Sequence, residues 1–431
     1  MHNINASTFC VGPWTEVRVG ADGALNFCHA AKRVQIPHKE YIQRANIDDY
    51  FSTGTSVQQA RDLILQGYEV DRCTNCYRND QLNVVSFRTR RNLQYGVFPK
   101  QDFGPSVSES KFWQDIKTDV KPRFYHISFS NLCNMSCLMC NPTDSSLFAT
   151  TQQRANGVTP IQPTLTDWTQ GPAWDKFCNH ILDNDRIFCI HIMGGEPMYH
   201  KRFKEFLTLL NQKSHTDFHF TFVTNGSVFD SDVVALLRNF RSTTVEISLE
   251  TVTLANDYIR RFSHPTQHVI NNIDQWCQHR SENFNVVLRS VPQALSVLDY
   301  DQLLDYAWSN QLLIDSNWMH HPEFLQSNIL PEKIKKIVSQ RLAKFLNKAP
   351  DIVDINLRDQ SKVWKNLQNN AWAVLDQMNS DCNNPEIQRK QFAEWCARFD
   401  RERGIHAADY VPELLEFLNY HHYELLNSDL P

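Results

Sequence analysis

In 431 residues, 43 Lys and Arg against 48 Asp and Glu leave a net charge of −5, and no polybasic or polyacidic block stands out. Bulk charge therefore gives no case for a nucleic acid or an anionic membrane as partner, and no window approaches the roughly eighteen apolar residues of a membrane span. Hydrophobic residues at 42 % suffice for two domains, or for one large domain with an appendage.

The N-terminus, Met1-His-Asn-Ile-Asn, lacks the charged start and long apolar core of a signal peptide. Twelve cysteines without such a leader argue for metal or redox use over a disulfide scaffold, and the reducing cytoplasm is the expected location. Cys10 lies in Phe9-Cys10-Val11-Gly12-Pro13-Trp14, followed by an alternating strand-like run to Val19. Ala21-Asp22-Gly23 reads as a hairpin turn and residues 24–28 as the returning strand, which brings Cys10 and Cys28 near each other. Helices are expected over 47–51 and 56–66, the second stopped by Gly67. Cys73 and Cys76 then form a two-thiol turn. The four cysteines complete a tetrahedral complement, which suits a structural zinc or a fully ligated 4Fe–4S cluster. The basic run Arg88-Thr-Arg-Arg91 is local and reads as a solvated face.

An extended stretch over 123–130 runs into Cys133-Asn-Met-Ser-Cys137-Leu-Met-Cys140, three thiols in eight residues. Thiolates suit iron–sulfur clusters and zinc. Three ligands on one loop hold three corners of an iron–sulfur cube and leave one metal position open for chemistry. A zinc site with a distant fourth ligand, or three buried thiols without metal, are the competing readings. The Cys-x3-Cys-x2-Cys spacing resembles that of the radical S-adenosylmethionine enzymes. The resemblance implies that the amino and carboxylate groups of S-adenosylmethionine chelate the fourth iron.

From Phe124 onward strand and helix alternate as in parallel βαβ units. Strands are expected over 124–130, 187–193, 218–224, 244–250, 285–291 and 312–318, with helices over 201–211, 230–239, 267–279 and 300–308 between them. Six such units make a partial (β/α)6 TIM-like barrel, an α/β fold with its reacting residues at the C-terminal strand ends. Residues 151–174, rich in Thr, Gln, Pro and Gly, read as an insertion placed to cover the barrel mouth.

Gly194-Gly195-Glu196-Pro197 closes the second strand. Two glycines let a ligand approach the backbone, and Glu196 offers a carboxylate to a cationic amine. A tight turn is the plainer alternative. The run resembles the family's Gly-Gly-Glu motif, which implies binding of the S-adenosylmethionine amino group by Gly194, Gly195 and Glu196. Thr224-Asn225-Gly226 ends the third strand where relatives often carry Thr-Asn-Gly, which implies a cofactor contact for Asn225, with a plain turn as the equal alternative; Ser248 and Glu250 match the family's contact to the ribose hydroxyls. Arg289 is placed either to meet the methionine carboxylate or to form an outward salt bridge. Most relatives carry an aromatic residue near the adenine just before the third cysteine. Here Met139 stands there, a flexible thioether that fills the same space.

The N-terminal cysteines, with Gly23 placed before Cys28, resemble the auxiliary-cluster modules called SPASM and twitch domains. Asp80, Ser86, Arg88 and Asn92 match residues that follow the cysteine pair in a subgroup with this module in front of the barrel. Asp80 replaces the more usual Glu, and the Gly often found before the Ser is absent. The tail reads as helices over 331–347, 361–379, 386–404 and 410–418 with apolar faces. Within it Arg403-Gly404-Ile-His and Val411-Pro-Glu-Leu resemble the same subgroup. Cys178, Cys189, Cys277, Cys382 and Cys396 read as ordinary buried thiols.

The expected domains are an auxiliary-cluster domain over 1–110, a radical S-adenosylmethionine partial barrel over 111–320 and a helical extension over 321–431. The resemblance implies two 4Fe–4S clusters and S-adenosylmethionine as cofactors, and flavodoxin or ferredoxin as electron donor. It implies reductive cleavage of S-adenosylmethionine to a 5′-deoxyadenosyl radical that takes a hydrogen atom from a peptide or protein. The auxiliary cluster would then take an electron from the substrate radical or pass one to the first cluster. The alternative from another class is a zinc- or cluster-bearing binding protein without radical chemistry.

Overall fold

The alternation that begins at Thr15 becomes strand β1, Glu16–Val19, and the chain returns as β2, Leu25–Asn26, pairing antiparallel through Arg18↔Asn26 and Val19↔Leu25. The reversal is local chemistry. Asp22 Oδ1 accepts the Ala24 amide at 3.0 Å, and Gly23 takes φ +85°, where an added Cβ would lie 2.7 Å from the Gln43 side chain. This computed structural model describes residues 7–32, 37–81, 85–95, 97, 121–160, 167–261, 263–319, 321–348 and 360–420. Residues 1–6 and part of the 151–174 insertion (161–166) lie outside the described residues.

The six expected parallel strands correspond to β3 (Phe124–Ile127), β4 (Cys189–Ile192), β5 (His219–Thr224), β6 (Ser242–Ser248), β7 (Phe284–Ser290) and β8 (Leu313–Ser316). The hairpin is not a separate sheet. β1 pairs parallel with β3, and the eight strands run in the order β2-β1-β3-β4-β5-β6-β7-β8, so the fold is α/β with a mostly parallel sheet. Helices Lys201–Gln212, Ser231–Leu237, Thr266–Cys277 and Tyr300–Ser309 follow β4 to β7 as expected.

By internal packing the chain forms two compact units, one of Met1–Ser130, Leu165–Thr221 and Asn239–Arg241, the other of Asn131–Thr164, Phe222–Arg238 and Ser242–Pro431. In the first, β1, β3 and β4 are in register so that Arg18, His126 and His191 form one row on one face. An aromatic layer of Phe129, Trp168, Trp174, Phe177 and Phe206 is buried, and the Trp168 indole donates to Ser128 O at 3.1 Å. That bond satisfies the one polar atom of a fully covered ring.

In the second unit the burial of β6 and β7 alternates strictly. Val245, Ile247, Val286 and Leu288 are fully buried, and Glu246, Ser248 and Arg289 face the other way. Trp276 packs on Phe222, Phe229 and Phe284, burial of a kind worth roughly 1.5–3 kcal/mol per large side chain. The tail forms Glu332–Leu346, Gln360–Met378 and Pro385–Arg403, the last opened by Pro385 and closed by Gly404 at φ +62°. Gln360–Met378 lies along β8. Asn366 accepts the Ile314 amide at 2.9 Å and donates to its carbonyl at 3.1 Å, and Asn370 donates to the same carbonyl at 3.1 Å.

Candidate functional sites

Cys133, Cys137 and Cys140 are all half-buried in a loop with no regular structure. Backbone bonds shape that loop: the Cys140 amide to Cys137 O at 3.0 Å and the Leu138 amide to Ile259 O at 2.8 Å. Asn134 is clamped on both sides, donating to Ser227 Oγ at 2.9 Å and accepting from Asn225 Nδ2 at 2.8 Å. Asn225 Nδ2 also stands 4.0 Å from Cys133 Sγ. Among the expected cofactor contacts, Asn225 thus lies beside the thiols and positions their loop. Met139 is half-buried between Leu138 and Cys140.

The Arg260 guanidinium places Nη1 3.8 Å from Cys137 Sγ and Nη2 2.7 Å from Glu250 Oε1. Glu250 is fully buried, and its second oxygen accepts the Val291 amide at 2.5 Å and Ser290 Oγ at 3.3 Å. Both carboxylate oxygens are therefore engaged within the chain, and Glu250 acts on the thiol loop through Arg260. Ser248 is half-buried at the end of β6, in register with Arg289. Arg289 takes the salt-bridge alternative: it pairs with Glu246 and, at 3.7 Å, with Asp315.

Burial, then the nearby Cys137 and Cys133, push the Cys140 thiol well above its ordinary range. Burial also raises Cys137, against the Arg260 charge. Three thiols crowded until their anions oppose one another form a donor set that a cationic metal core would neutralise. The residues fit a cluster held by three protein thiolates.

In the first unit, Gly194 and Gly195 have φ of +80° and +57°. A Cβ on Gly194 would lie 2.5 Å from Ser128 Oγ, so the close approach of this turn to the strand end requires glycine. Glu196 is 1 % exposed, and its Oε1 accepts the Met198 amide at 2.9 Å at the head of the short turn Pro197–Tyr199.

Cys10, Cys28, Cys73 and Cys76 line one small, partly open pocket. The Gly12 amide donates to Cys10 Sγ at 3.3 Å. Cys73 ends a short 3-10 turn, and Cys76 stands on helix Thr74–Gln81 rather than in a simple turn. Burial, then the Cys76 charge, push Cys73 up to about 12, and burial followed by Cys73 raises Cys10. The same donor test holds here: four thiols oppose one another's ionisation until a cation joins them.

The residues that matched the pattern after the cysteine pair brace this site. Asn92 donates to Phe9 O at 2.9 Å and accepts the Val11 amide at 3.0 Å, gripping the backbone on both sides of Cys10. Arg88 donates to Phe9 O at 2.9 Å and pairs with Asp80 at 2.6 Å, and Ser86 caps the helix that carries Arg88 and Asn92. Sequence reasoning missed Glu16, His29, Arg91 and His126. Glu16, 3 % exposed, lines the cavity, pairs with Arg91, and lies 3.4 Å from His29 Nδ1 and 3.5 Å from His126 Nε2. Burial alone would raise the Glu16 carboxyl, but Arg91 and then the two histidines hold it well below the usual range. Burial, then His29, drives His126 well below its ordinary value. In the sequence Glu16 reads only as a polar position of an alternating strand, which gives no signal of its burial. Glu16, Cys28 and His29 also bring ligand atoms within 4.8 Å of one another, a combination that shares Cys28 with the thiol set.

Of the five thiols expected to be buried, Cys178, Cys189 and Cys396 are; Cys277, the last residue of its helix, and Cys382, in a segment without regular structure, are only half-covered.

Residues 127–292 match the family model described as the Radical SAM superfamily. No curated protein matches the chain. Solved structures that it resembles include Streptococcus suis SuiB bound to S-adenosylmethionine, at 13 % identity and TM-score 0.33 over 76 % of this chain and 67 % of that one. SuiB bound to its precursor peptide SuiA gives 13 % and 0.37 over 76 % and 68 %, and tagged anSMEcpe with bound AdoMet gives 12 % and 0.37 over 70 % and 99 %.

Proposed function

We propose that this chain, whose residues 127–292 match the Radical SAM superfamily model, uses a 4Fe–4S cluster and S-adenosylmethionine to generate an organic radical that modifies a peptide or protein. The observation that supports this best is the convergence of Cys133, Cys137 and Cys140 on one braced loop, with Arg260 beside Cys137. When bound, the cluster and S-adenosylmethionine supply a 5′-deoxyadenosyl radical by reductive carbon–sulfur cleavage. The chain's own residues do the rest. Cys133, Cys137 and Cys140 hold three corners, and Asn225 with Asn134 and Glu250 through Arg260 hold those thiols in place. Gly194 and Gly195 open the backbone to the cofactor, and Glu196 offers its carboxylate to the cofactor amine.

The four-thiol site in the first unit is read as an auxiliary cluster of the twitch type, taking an electron from the substrate radical or passing one to the first cluster. The peptide substrate is proposed from the resemblance, and SuiB and anSMEcpe are structures with a precursor peptide or AdoMet bound. The second reading, a zinc-bearing binding protein, is supported by the same four thiols, since zinc accepts four thiolates as readily. Anaerobically purified protein is expected to be brown, with roughly eight iron per chain from two four-iron clusters, and to release 5′-deoxyadenosine with a strong reductant. A colourless protein with stoichiometric zinc and no 5′-deoxyadenosine would establish the binding reading.

Glu196→Gln is expected to weaken S-adenosylmethionine binding roughly ten- to a hundredfold, the value of a charged hydrogen bond of ~1.5–3 kcal/mol, with iron content intact. Glutamine keeps the oxygen that accepts the Met198 amide, so the turn survives. Calorimetry showing unchanged affinity would leave Glu196 as a turn residue only.

A further inference from the structure

The last turn of helix Leu254–Arg260 has carbonyls that its own helix cannot satisfy. The three-thiol loop takes up two of them and the carbonyl just beyond: Ile259 O accepts the Leu138 amide at 2.8 Å, Arg260 O accepts Cys137 Sγ at 3.6 Å, and Arg261 O, after the helix end, accepts the Ser136 amide at 3.3 Å. One donor comes from far along the chain. Arg403, the last residue of Pro385–Arg403, donates from Nη1 to Tyr258 O at 2.8 Å and from Nη2 to Ser136 O, with Ser136 Oγ at 3.4 Å. Its guanidinium also lies 5.1 Å from the Phe399 ring centre and 5.8 Å from that of Tyr258.

Asp400, one turn earlier, accepts the Tyr258 hydroxyl at 2.7 Å and the Ala407 amide at 2.7 Å. Helix end, thiol loop and C-terminal segment thus meet at one planar fork, a geometry that guanidinium supplies and ammonium does not.

We propose that Arg403 is a positioning residue for the Cys133–Cys140 loop: it ties the carbonyl next to Cys137 to the helix that carries Arg260. The loop is then pre-shaped before any metal arrives, and the C-terminal extension is part of the radical site. What the loop holds rests on the function proposed above; the clamp itself does not, and the test separates the two.

The test is amide hydrogen exchange on the metal-free full-length chain, followed by iron loss to a chelator from the reconstituted protein. Arg403→Met keeps the bulk and removes the donors. It is expected to speed exchange at Ser136 and Leu138, and iron loss from one cluster, roughly ten- to a hundredfold, as for loss of charged hydrogen bonds. Arg403→Lys retains one donor direction and falls between, and Arg401→Gln, an exposed neighbour on the same helix, matches wild type. Faster exchange that spreads equally to Tyr300–Ser309 would overturn the proposal by making Arg403 a general packing residue, as would wild-type exchange in Arg403→Met. If Arg403→Met does not fold, Arg403→Lys decides: a loop-confined increase supports the clamp, and wild-type exchange refutes it. Loop-confined exchange in a protein that never takes up iron would uphold the clamp and defeat the function.

Discussion

Replacing Cys133, Cys137 and Cys140 together by Ala is expected to abolish all cleavage of S-adenosylmethionine and to remove about half of the iron, four of roughly eight atoms if each site holds a four-iron cluster. The effect is all-or-none because the three thiols are the loop's only sulfur donors besides the thioethers of Met135 and Met139. The fold should survive. The loop is anchored by the Leu138 and Ser136 amides and by Ser145 Oγ on Met135 O at 3.1 Å, none of which involves a thiol. Replacing crowded, half-buried thiols by alanine also removes groups whose ionisation the site opposes. Iron analysis and chromatography of 5′-deoxyadenosine are the measurements. Continued 5′-deoxyadenosine production by the triple variant would refute the assignment of this loop as the radical centre.

Cys73→Ala with Cys76→Ala tests the other site, and the expected result is a split phenotype. Half the iron goes and the first unit loses stability, because a metal joining the hairpin cysteines to this pair contributes to folding free energy on the order of several kcal/mol. The Asn92 and Arg88 bonds to the Phe9–Val11 backbone remain, so the segment around Cys10 keeps part of its shape. S-adenosylmethionine cleavage continues, since Cys133, Cys137 and Cys140 are untouched. Modified peptide disappears if the second cluster carries the substrate's electron. Normal product with half the iron would make the module structural, and zinc the better assignment for it.

The elements were legible where pattern is local. Alternation marked the strands, and the helix Pro385–Arg403 is framed by a Pro and a Gly that the sequence shows openly. The thiol loops were legible because ligand spacing is itself local. What escaped were long-range pairings. Nothing in residues 16–19 says that they lie parallel to Phe124–Ile127, more than a hundred positions on. Glu16 looked like the polar half of an alternating strand, and its burial follows only from Arg91 and the histidines supplied by other elements. The resemblance implies that Glu250 contacts the ribose, and the sequence leaves Arg289 either at the methionine carboxylate or in an outward salt bridge. Which charges they meet depends on Arg260, Glu246 and Asp315, and register alone does not reveal that.

The asparagine ladder on β8 bears on how a peptide could be recruited. Extended peptides are often captured by adding a strand to a sheet margin, with main-chain bonds giving affinity. At this margin both polar groups of Ile314 are already bonded to the side chains of Asn366 and Asn370. The opposite margin is only two residues long at β2, and the neighbouring Ala24 bridges to Tyr41. An incoming strand would have to displace protein groups that already make the same bonds, which gains little. If the substrate is a peptide, as proposed above, its selection would fall to side-chain pockets rather than to backbone pairing at these strands.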